Sequence, residues 1–475
     1  MTEDISLKSE ATEEFAGFVE TVAYDQLPGH VVDLVKKSIL DTIGIILPAS
    51  FVMPPLAAVL EMMKEAGGKK ESTILGDGAK VPCWSAAFAN GMRAHVLDYA
   101  DGHLEAILRV GPSVIPPALA IAERRGGVSG RDFIAACAVG EEVICRLGVA
   151  VARRRRELGP WHGGVLFGNF GATAAASRLL GLSREKINRA FGIGFIQCAG
   201  TLDLTSSIDS NLRGMYPGFV GQTGVQAALM ADRGILGPRG CLESKYGLLR
   251  TYFRGEYDRD ALLGDLGAEF QLSNLSFKPW PACALAHPYI DATLNIVGDN
   301  RLTPGSIKKI NVFCGDIGWD LCDPIEKRRA PSAINDAKYS IPFCVAVAAA
   351  KGKVANGDFT PEALKDREVL KMARKVKAAK DPALNKTDEE TTKNQLPPAR
   401  VEITVKNGKV FAKRVDFPYG HHLRPMKTED LIAKFKDCAS FSPKPISAKN
   451  VDRAVNTIMS LEQTDDVADI VRLLK

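Results

Sequence analysis

A lysine, a cysteine and a histidine lie within ten residues of one another in the segment 277–288: Lys278, Cys283 and His287. The prolines of this segment hold its backbone extended, and the apolar run that follows His287 predicts a helix. An extended lead-in that brings polar side chains to the start of a helix suits the binding of an anion. A surface linker between two domains is the alternative interpretation.

Two histidines and two aspartates occupy nine residues further upstream: His95, Asp98, Asp101 and His103. On a helix, His95 and Asp98 would share a face, as would Asp98 and Asp101. This pattern indicates a carboxylate base with a histidine partner. A divalent metal could also use these ligand types, although the spacing matches no metal motif. An exposed helix end that stops at a glycine is the third interpretation.

His162 precedes two glycines and a segment that predicts a helix through residue 176. A histidine at such a helix start can approach an anion and can exchange a proton near neutral pH. The segment 210–218 predicts a turn that carries Arg213. Its guanidinium suits a two-point contact with a carboxylate, and a buried ion pair is the structural alternative.

The bulk composition is that of a globular protein with more than one domain. The chain has 475 residues, 46% hydrophobic and 25% charged, with a net charge of +5. That charge is too small for this length to indicate nucleic-acid binding. The ten cysteines form no CxxC pair, and neither a GxxxxGK[ST] loop nor a GxSxG motif occurs. These absences exclude common zinc, P-loop and α/β-hydrolase sites.

The N-terminal residues are acidic and no uncharged run reaches the length of a membrane span, so we expect a cytoplasmic protein that does not bind membranes.

The elements that must position these side chains change in character along the chain. Helical periodicity dominates the first part, with strong patterns over 31–47, 132–151, 171–180 and 187–198. From about residue 274 alternating strands enter, at 307–313 and 399–405, and Asn407-Gly408 predicts a hairpin. Helices are predicted at 336–351, at 361–378 and again from residue 426 to the end.

The predicted fold class is therefore mostly α: a large all-helical domain built from both chain ends, plus a smaller α+β domain that acts as a lid. The predicted limits are 1–274 for the helical domain, 275–422 for the α+β domain and 423–475 for the returning helices.

In this order the segments resemble the MmgE/PrpD family, which includes 2-methylcitrate dehydratase, cis-aconitate decarboxylase and iminodisuccinate epimerase. The resemblance spans nearly the whole chain. It rests on segments 95–101, 116–123, 162–171, 277–287, 336–343 and 425–435.

The resemblance implies a homodimer that acts without a cofactor or metal on small di- or tricarboxylates, at a site between the helical domain and its lid. Asp98, His162 and Lys278 match the family's aspartate, glycine-flanked histidine and lid lysine. The chain also departs from the family pattern. Arg109-Val110 stands in place of a His-Pro, Arg213 in place of a lysine, Cys283 in place of a histidine and Phe343 in place of a tyrosine.

The shared chemistry is the movement of a proton at a carbon next to a carboxylate, which needs a positioned base and cations where negative charge grows. The expected reaction is a dehydratase-type elimination of water. The alternatives are an epimerase and a family member that binds carboxylates without catalysis. The residues expected in proton transfer and catalysis are Asp98, His162, Lys278, Asp101 and His103. Those expected in substrate binding are Arg213, Arg109, Cys283 and His287.

Overall fold

The chain divides into two compact units, one of which is discontinuous. The first contains the residues up to Leu275 together with Leu431–Lys475, and the second is Ser276–Asp430. The sequence analysis set these limits at 274 and 422. The predicted fold class is confirmed, because helices dominate and the strands form small sheets. The computed structural model describes residues 10–53, 55–154, 159–206, 210–385 and 396–475, so the acidic start of the chain lies outside the described residues.

The first unit is built mainly from helices. They are α1 (Glu10–Thr21), α2 (Gly29–Ile46), α3 (Ala49–Val52), α4 (Pro55–Glu65), α5 (Cys83–Arg93), α6 (Gly111–Arg125), α7 (Gly130–Ala152), α8 (Gly163–Leu180), α9 (Arg184–Phe195), α10 (Asp203–Ser206), α11 (Leu212–Asp232), α12 (Leu248–Phe253) and α13 (Arg259–Leu263). Short strands β1 (Ser72–Thr73) and β2 (Lys80–Val81) pair antiparallel, and β3 (Gly102–His103) and β4 (Leu275–Ser276) are equally short.

Local sequence signals explain where the main helices begin and end. Ser129 caps α7 by accepting a hydrogen bond from the Asp132 N–H, and Ser183 caps α9 in the same way. Gly181 ends α8 in the left-handed conformation, which a glycine adopts at little cost. The helices predicted at 31–47, 132–151 and 171–180 are all present.

Small residues let the helices of the first unit approach closely. A methyl group added at Gly91 on α5 would lie 2.7 Å from the Pro217 carbonyl oxygen on α11, and one added at Gly164 on α8 would lie 2.6 Å from the Tyr216 hydroxyl. Because contacts this short leave no room for a side chain, these glycines set the spacing of α5, α8 and α11.

Two predictions in the first unit were wrong. Residues 95–103 are not helical: α5 ends at Arg93, and Asp98 has a φ of 50°, in the left-handed region. Residues 210–218 are not a turn, because α11 begins at Leu212 and continues through Pro217. Pro217 lies inside the helix beyond its first turn, so α11 forgoes one backbone hydrogen bond there.

The second unit contains a four-stranded sheet and the helices packed on it. The strand order is β6-β5-β7-β8, with β5 and β6 parallel and the other pairs antiparallel. The predicted hairpin at Asn407-Gly408 is confirmed between β7 and β8. The strands are β5 (Ile307–Cys314), β6 (Val376–Lys380), β7 (Ala399–Val405) and β8 (Val410–Val415). The helices are α14 (His287–Asp299), α15 (Asp316–Trp319), α16 (Ile325–Arg329), α17 (Ile334–Lys338), α18 (Ile341–Lys351) and α19 (Arg367–Ala373).

Alternating burial along β7 places Val401 and Ile403 in a core that α14 and α18 also line. The helix predicted over 361–378 was partly wrong: it is the short α19 followed by strand β6. The helix predicted over 336–351 is divided into α17 and α18.

Helices return after the second unit, as predicted: α20 (Thr428–Ser440), α21 (Ala448–Met459) and α22 (Ala468–Leu473). Lys434 on α20 is buried and lies 2.6 Å from Asp41 on α2, and its ammonium also donates to the Tyr99 carbonyl at 2.7 Å. These contacts connect the last part of the chain to the helices at its start.

None of the described helices is both long enough and apolar enough to cross a membrane.

We expect Gly91→Ala to destabilise the first unit by about 1–3 kcal/mol, because the added methyl group overlaps the backbone of α11. Gly29→Ala is the control, since nothing lies within 4 Å of its added methyl group. Urea unfolding followed by circular dichroism should show a lower midpoint for Gly91→Ala alone. Equal midpoints for the two variants would contradict the packing argument.

Candidate active site

His162 caps the start of α8 and is held there by its backbone. Its N–H donates to the Gly200 carbonyl at 3.0 Å, and its own carbonyl accepts from the Val165 N–H at 3.0 Å. In the described part of the chain its buried Nδ1 has no hydrogen-bond partner. Burial, together with the positive charges of Arg213 and Arg109, lowers the pKa of His162 from its ordinary 6.5 to about 4. The imidazole is therefore neutral at physiological pH and can accept a proton.

The two arginines come from different elements. Arg213 lies in the first turn of α11 and is exposed, whereas Arg109 lies just before α6 and is half-buried. Both act electrostatically on His162. The structure thus brings together three of the predicted residues, and the two guanidinium groups can bind carboxylates beside a neutral base.

Tyr216 is a member of this cluster that the sequence analysis missed. Its buried ring packs edge-on against His162, with centroids 4.6 Å apart, and against His95 at 5.4 Å. Arg109, Asp98 and Asp101 all act on its phenol, and burial raises its pKa. The sequence signal for Tyr216 was its position three residues after Arg213. This spacing places the side chains of Arg213 and Tyr216 on one face only if the segment is helical.

Asp98 lies in the turns that follow α5, with its N–H donating to the His95 carbonyl at 2.9 Å. It is half-buried and acts electrostatically on Tyr216. The His95–Asp98 pairing expected from a shared helix face is replaced by this turn. Asp98 still lies near the Tyr216–His162 cluster, so its predicted role in proton transfer stays a prediction.

Asp101 is fully buried and anchors the start of α6. Its carboxylate accepts hydrogen bonds from the Val110 N–H at 3.2 Å and from the Gly111 N–H at 2.9 Å. Burial and then the neighbouring Asp41 raise the pKa of Asp101 to about 6, although these backbone N–H groups oppose the shift. These contacts favour a positioning role over the direct proton transfer expected from the sequence.

His103 is also occupied by the backbone. Its Nε2 lies 3.0 Å from the Gln271 carbonyl oxygen, and its Nδ1 accepts from the Ala106 N–H at 3.3 Å. The side chain is 1% exposed. Since both ring nitrogens have backbone contacts, the geometry favours a structural role for His103, and its catalytic role stays a prediction.

A second group of predicted residues lies in the second unit. The buried Lys278 ammonium donates to the Ala282 carbonyl at 3.1 Å, and His287 Nε2 lies 3.2 Å from the same oxygen. Cys283 follows directly and is partly exposed, and its N–H donates to the Lys338 carbonyl at 2.9 Å. The structure therefore brings Lys278, Cys283 and His287 together around one carbonyl group.

Lys338 is a second buried lysine of this group that the sequence analysis did not select. It is 1% exposed, and its ammonium lies 5.9 Å from the centre of the Phe359 ring. Phe343 is buried in the core of the second unit. Among the described residues no group of three or more metal-ligand side chains is arranged to hold a metal ion.

Comparison with known proteins matches two family models to this chain. The MmgE/PrpD N-terminal domain matches residues 13–260, and the MmgE/PrpD C-terminal domain matches residues 280–458. The chain belongs to the MmgE/PrpD family, and the resemblance noted in the sequence is confirmed.

Curated relatives cover nearly the whole chain at low identity. Cis-aconitate decarboxylase from Aspergillus terreus is 24% identical over 488 residues, which is 99% of this chain and 97% of the relative. Cis-aconitate decarboxylase from Mus musculus is 26% identical over 482 residues, with 99% and 94% covered. 2-Methylcitrate dehydratase from Salmonella typhimurium is 23% identical over 461 residues, with 92% of each chain covered.

We expect His162 to stay neutral down to a midpoint of about pH 4, whereas an ordinary histidine has a pKa of 6.5. Between these values the unfolded chain binds more protons than the folded one, so His162 makes stability rise with pH across this window. NMR of protein labelled with ¹³C at the histidine rings should show this midpoint for the signal that disappears in His162→Asn.

Arg213→Gln should raise the titration midpoint of His162, because it removes a nearby cation. Arg233→Gln, on the same helix, should leave it unchanged. A wild-type midpoint near 6.5 would contradict the burial argument.

Proposed function

We propose that this protein is a carboxylate lyase that moves a proton at a carbon next to a carboxylate, with elimination of water of the 2-methylcitrate dehydratase type as its reaction. The observation that carries the proposal is the neutral, half-buried imidazole of His162, with its Nδ1 inside the protein, beside Arg109 and Arg213. Membership in the MmgE/PrpD family and the lyases among its curated relatives support the same chemistry.

Substrate binding is assigned to the cations. The guanidinium groups of Arg109 and Arg213 bind carboxylates of a small di- or tricarboxylate. Lys278, with Cys283 and His287 beside it, is proposed as the carboxylate-binding group of the second unit. Once bound, the substrate presents a carbon–hydrogen bond next to a carboxylate. The arginines then lower the energy of the negative charge that spreads onto that carboxylate.

Proton transfer is assigned to His162 and Asp98. The neutral imidazole takes the proton from carbon, and the carbon–oxygen bond to the leaving hydroxyl breaks as the double bond forms. The departing hydroxide takes up a proton that we propose Asp98 transfers to it, and leaves as water. The scheme needs no cofactor.

An epimerase is the second candidate, because Tyr216 places another imidazole, that of His95, near His162. An epimerase would return the proton to the opposite face without losing hydroxide. A family member that binds carboxylates without turnover is the third candidate, since arginines stand where family members have proton carriers.

Incubation with a panel of di- and tricarboxylates in deuterated water, followed by mass spectrometry, distinguishes the candidates. The proposal expects an unsaturated product that has lost water. A gain of one deuterium with no other change indicates epimerisation, and loss of carbon dioxide indicates decarboxylation. Binding by calorimetry without any product would indicate the non-catalytic candidate.

We expect His162→Ala and Asp98→Asn each to reduce turnover by roughly 10²–10⁴-fold, because each removes a group that transfers a proton. Circular dichroism should show that both variants remain folded. His30→Ala, at an exposed histidine, is the control and should keep full activity. Full activity in both site variants, measured with the identified substrate, would show that the roles are assigned to the wrong residues.

We also propose that the protein is a homodimer, with a stripe of exposed apolar residues on α11 in its interface. Leu212, Phe219 and Met230 are 47%, 48% and 42% exposed, and their spacing places them on one face of the helix. Exposed apolar stripes of this kind commonly mark contacts between proteins.

The double variant Phe219→Glu/Met230→Glu should shift the protein from dimer to monomer, because it introduces charge into an apolar interface. Size-exclusion chromatography with light scattering measures the change. Met62→Glu is the control, since Met62 is 51% exposed but lies on α4. A wild-type monomer, or a double variant that remains dimeric, would exclude this interface.

A further inference from the structure

Three carboxylates are buried close to one another in the first unit. They are Asp41 on α2, Glu141 on α7, and Asp101 in the segment before α6. Their negative charges act on one another, Asp41 on Asp101 and Asp101 on Glu141. Three anions cannot be buried together unless each is compensated or one of them takes up a proton. The surroundings of each group show which of them is compensated.

Two of the three carboxylates have strong compensating partners. Asp41 forms an ion pair with the buried Lys434 at 2.6 Å. Asp101 accepts hydrogen bonds from the N–H groups of Val110 and Gly111, at the positive end of α6. Both can therefore stay ionised at neutral pH.

Glu141 has no such compensation. It is completely buried, and among the described residues it has no ion pair, while its Oε2 has no hydrogen-bond partner. Its Oε1 lies 2.5 Å from the Ser38 hydroxyl oxygen. The other titratable groups that act with it are Asp101 and, on its own helix, the buried Cys137 and Cys145. None of these groups supplies a positive charge.

The Ser38 hydroxyl lies between two carboxyl groups but carries only one hydrogen. Its oxygen is 2.5 Å from Glu141 Oε1 and 3.3 Å from Asp101 Oδ2. Asp101 already accepts from two backbone N–H groups, so it is the ionised member. If Glu141 is protonated, its O–H donates to the Ser38 oxygen, and the Ser38 hydrogen is released to donate to Asp101.

We propose that Glu141 is a neutral acid in the folded protein and that, through Ser38, it positions Asp101 as the anchor of the loop that carries Arg109. Arg109 directly precedes the two residues that Asp101 holds, Val110 and Gly111. Glu141 is therefore a positioning residue that acts on the substrate-binding arginine through two intermediates. Burial also raises the pKa of Glu141 well above its ordinary value.

Infrared spectroscopy tests the protonation state directly. At pH 8, protein labelled with ¹³C-glutamate should show the carbonyl stretch of a protonated carboxyl group, shifted by the label because the acid is a glutamate. Glu141→Gln should abolish this band. Ser38→Ala should move it to higher frequency, because the acid loses its acceptor, and this arm does not depend on Glu141→Gln folding.

Absence of the band from the wild-type protein, or its persistence in folded Glu141→Gln, would overturn the inference. A band that the ¹³C-glutamate label does not shift would place the proton on an aspartate, and this result would also overturn the inference.

The kinetic test rests on the proposed function, whereas the infrared test does not. Glu141→Gln keeps a neutral donor toward Ser38, so KM and kcat should stay within about twofold of wild type. Ser38→Ala and Glu141→Ala should raise KM by roughly tenfold, with a smaller change in kcat, because a hydrogen bond to a charged group is lost and Arg109 is less well held. An equal rise in KM for Glu141→Gln and Glu141→Ala would show that Glu141 fills space without positioning Asp101.

Discussion

The chemistry of the first unit depends on one constraint: a largely desolvated imidazole beside guanidinium groups holds a second proton only at low pH. Burial disfavours the charged form of His162, and Arg213 and Arg109 repel that charge in addition. The same two cations attract carboxylates. One arrangement therefore keeps a base neutral and brings an acidic substrate to it. Gly164, two residues after His162, lets Tyr216 lie directly against the start of α8 and so beside this imidazole.

The fold was predicted well from the sequence where periodicity is long and regular. Helices α2 and α7 are long apolar helices that are buried over most of their length, and strand β7 alternates in burial before an Asn-Gly turn, so local pattern and final structure agree. Strand β6 was not predicted, because most of its residues are exposed and its pairing with β5 is made across a long stretch of chain.

The site was predicted in part. His162, Arg109 and Arg213 do lie close enough to act on one another, but the segment around Arg213 was interpreted as a turn because it contains Gly214, Pro217 and Gly218. In the structure these glycines lie against neighbouring segments: a methyl group at Gly214 would meet the Val96 backbone at 3.0 Å, and one at Gly218 would lie 2.6 Å from the Phe88 carbonyl oxygen on α5. Glycine permits both a turn and a close approach, and only the packed structure distinguishes the two. Tyr216 was missed for the same reason.

The discontinuous first unit has a consequence for how the protein is made. Lys434 meets the carbonyl of Tyr99 across 335 positions of sequence, so this contact cannot form until almost all of the chain has left the ribosome. The second unit is contiguous and complete by then, and nothing in its connectivity requires it to wait. During translation Asp41 is therefore a carboxylate without its lysine until α20 has been made.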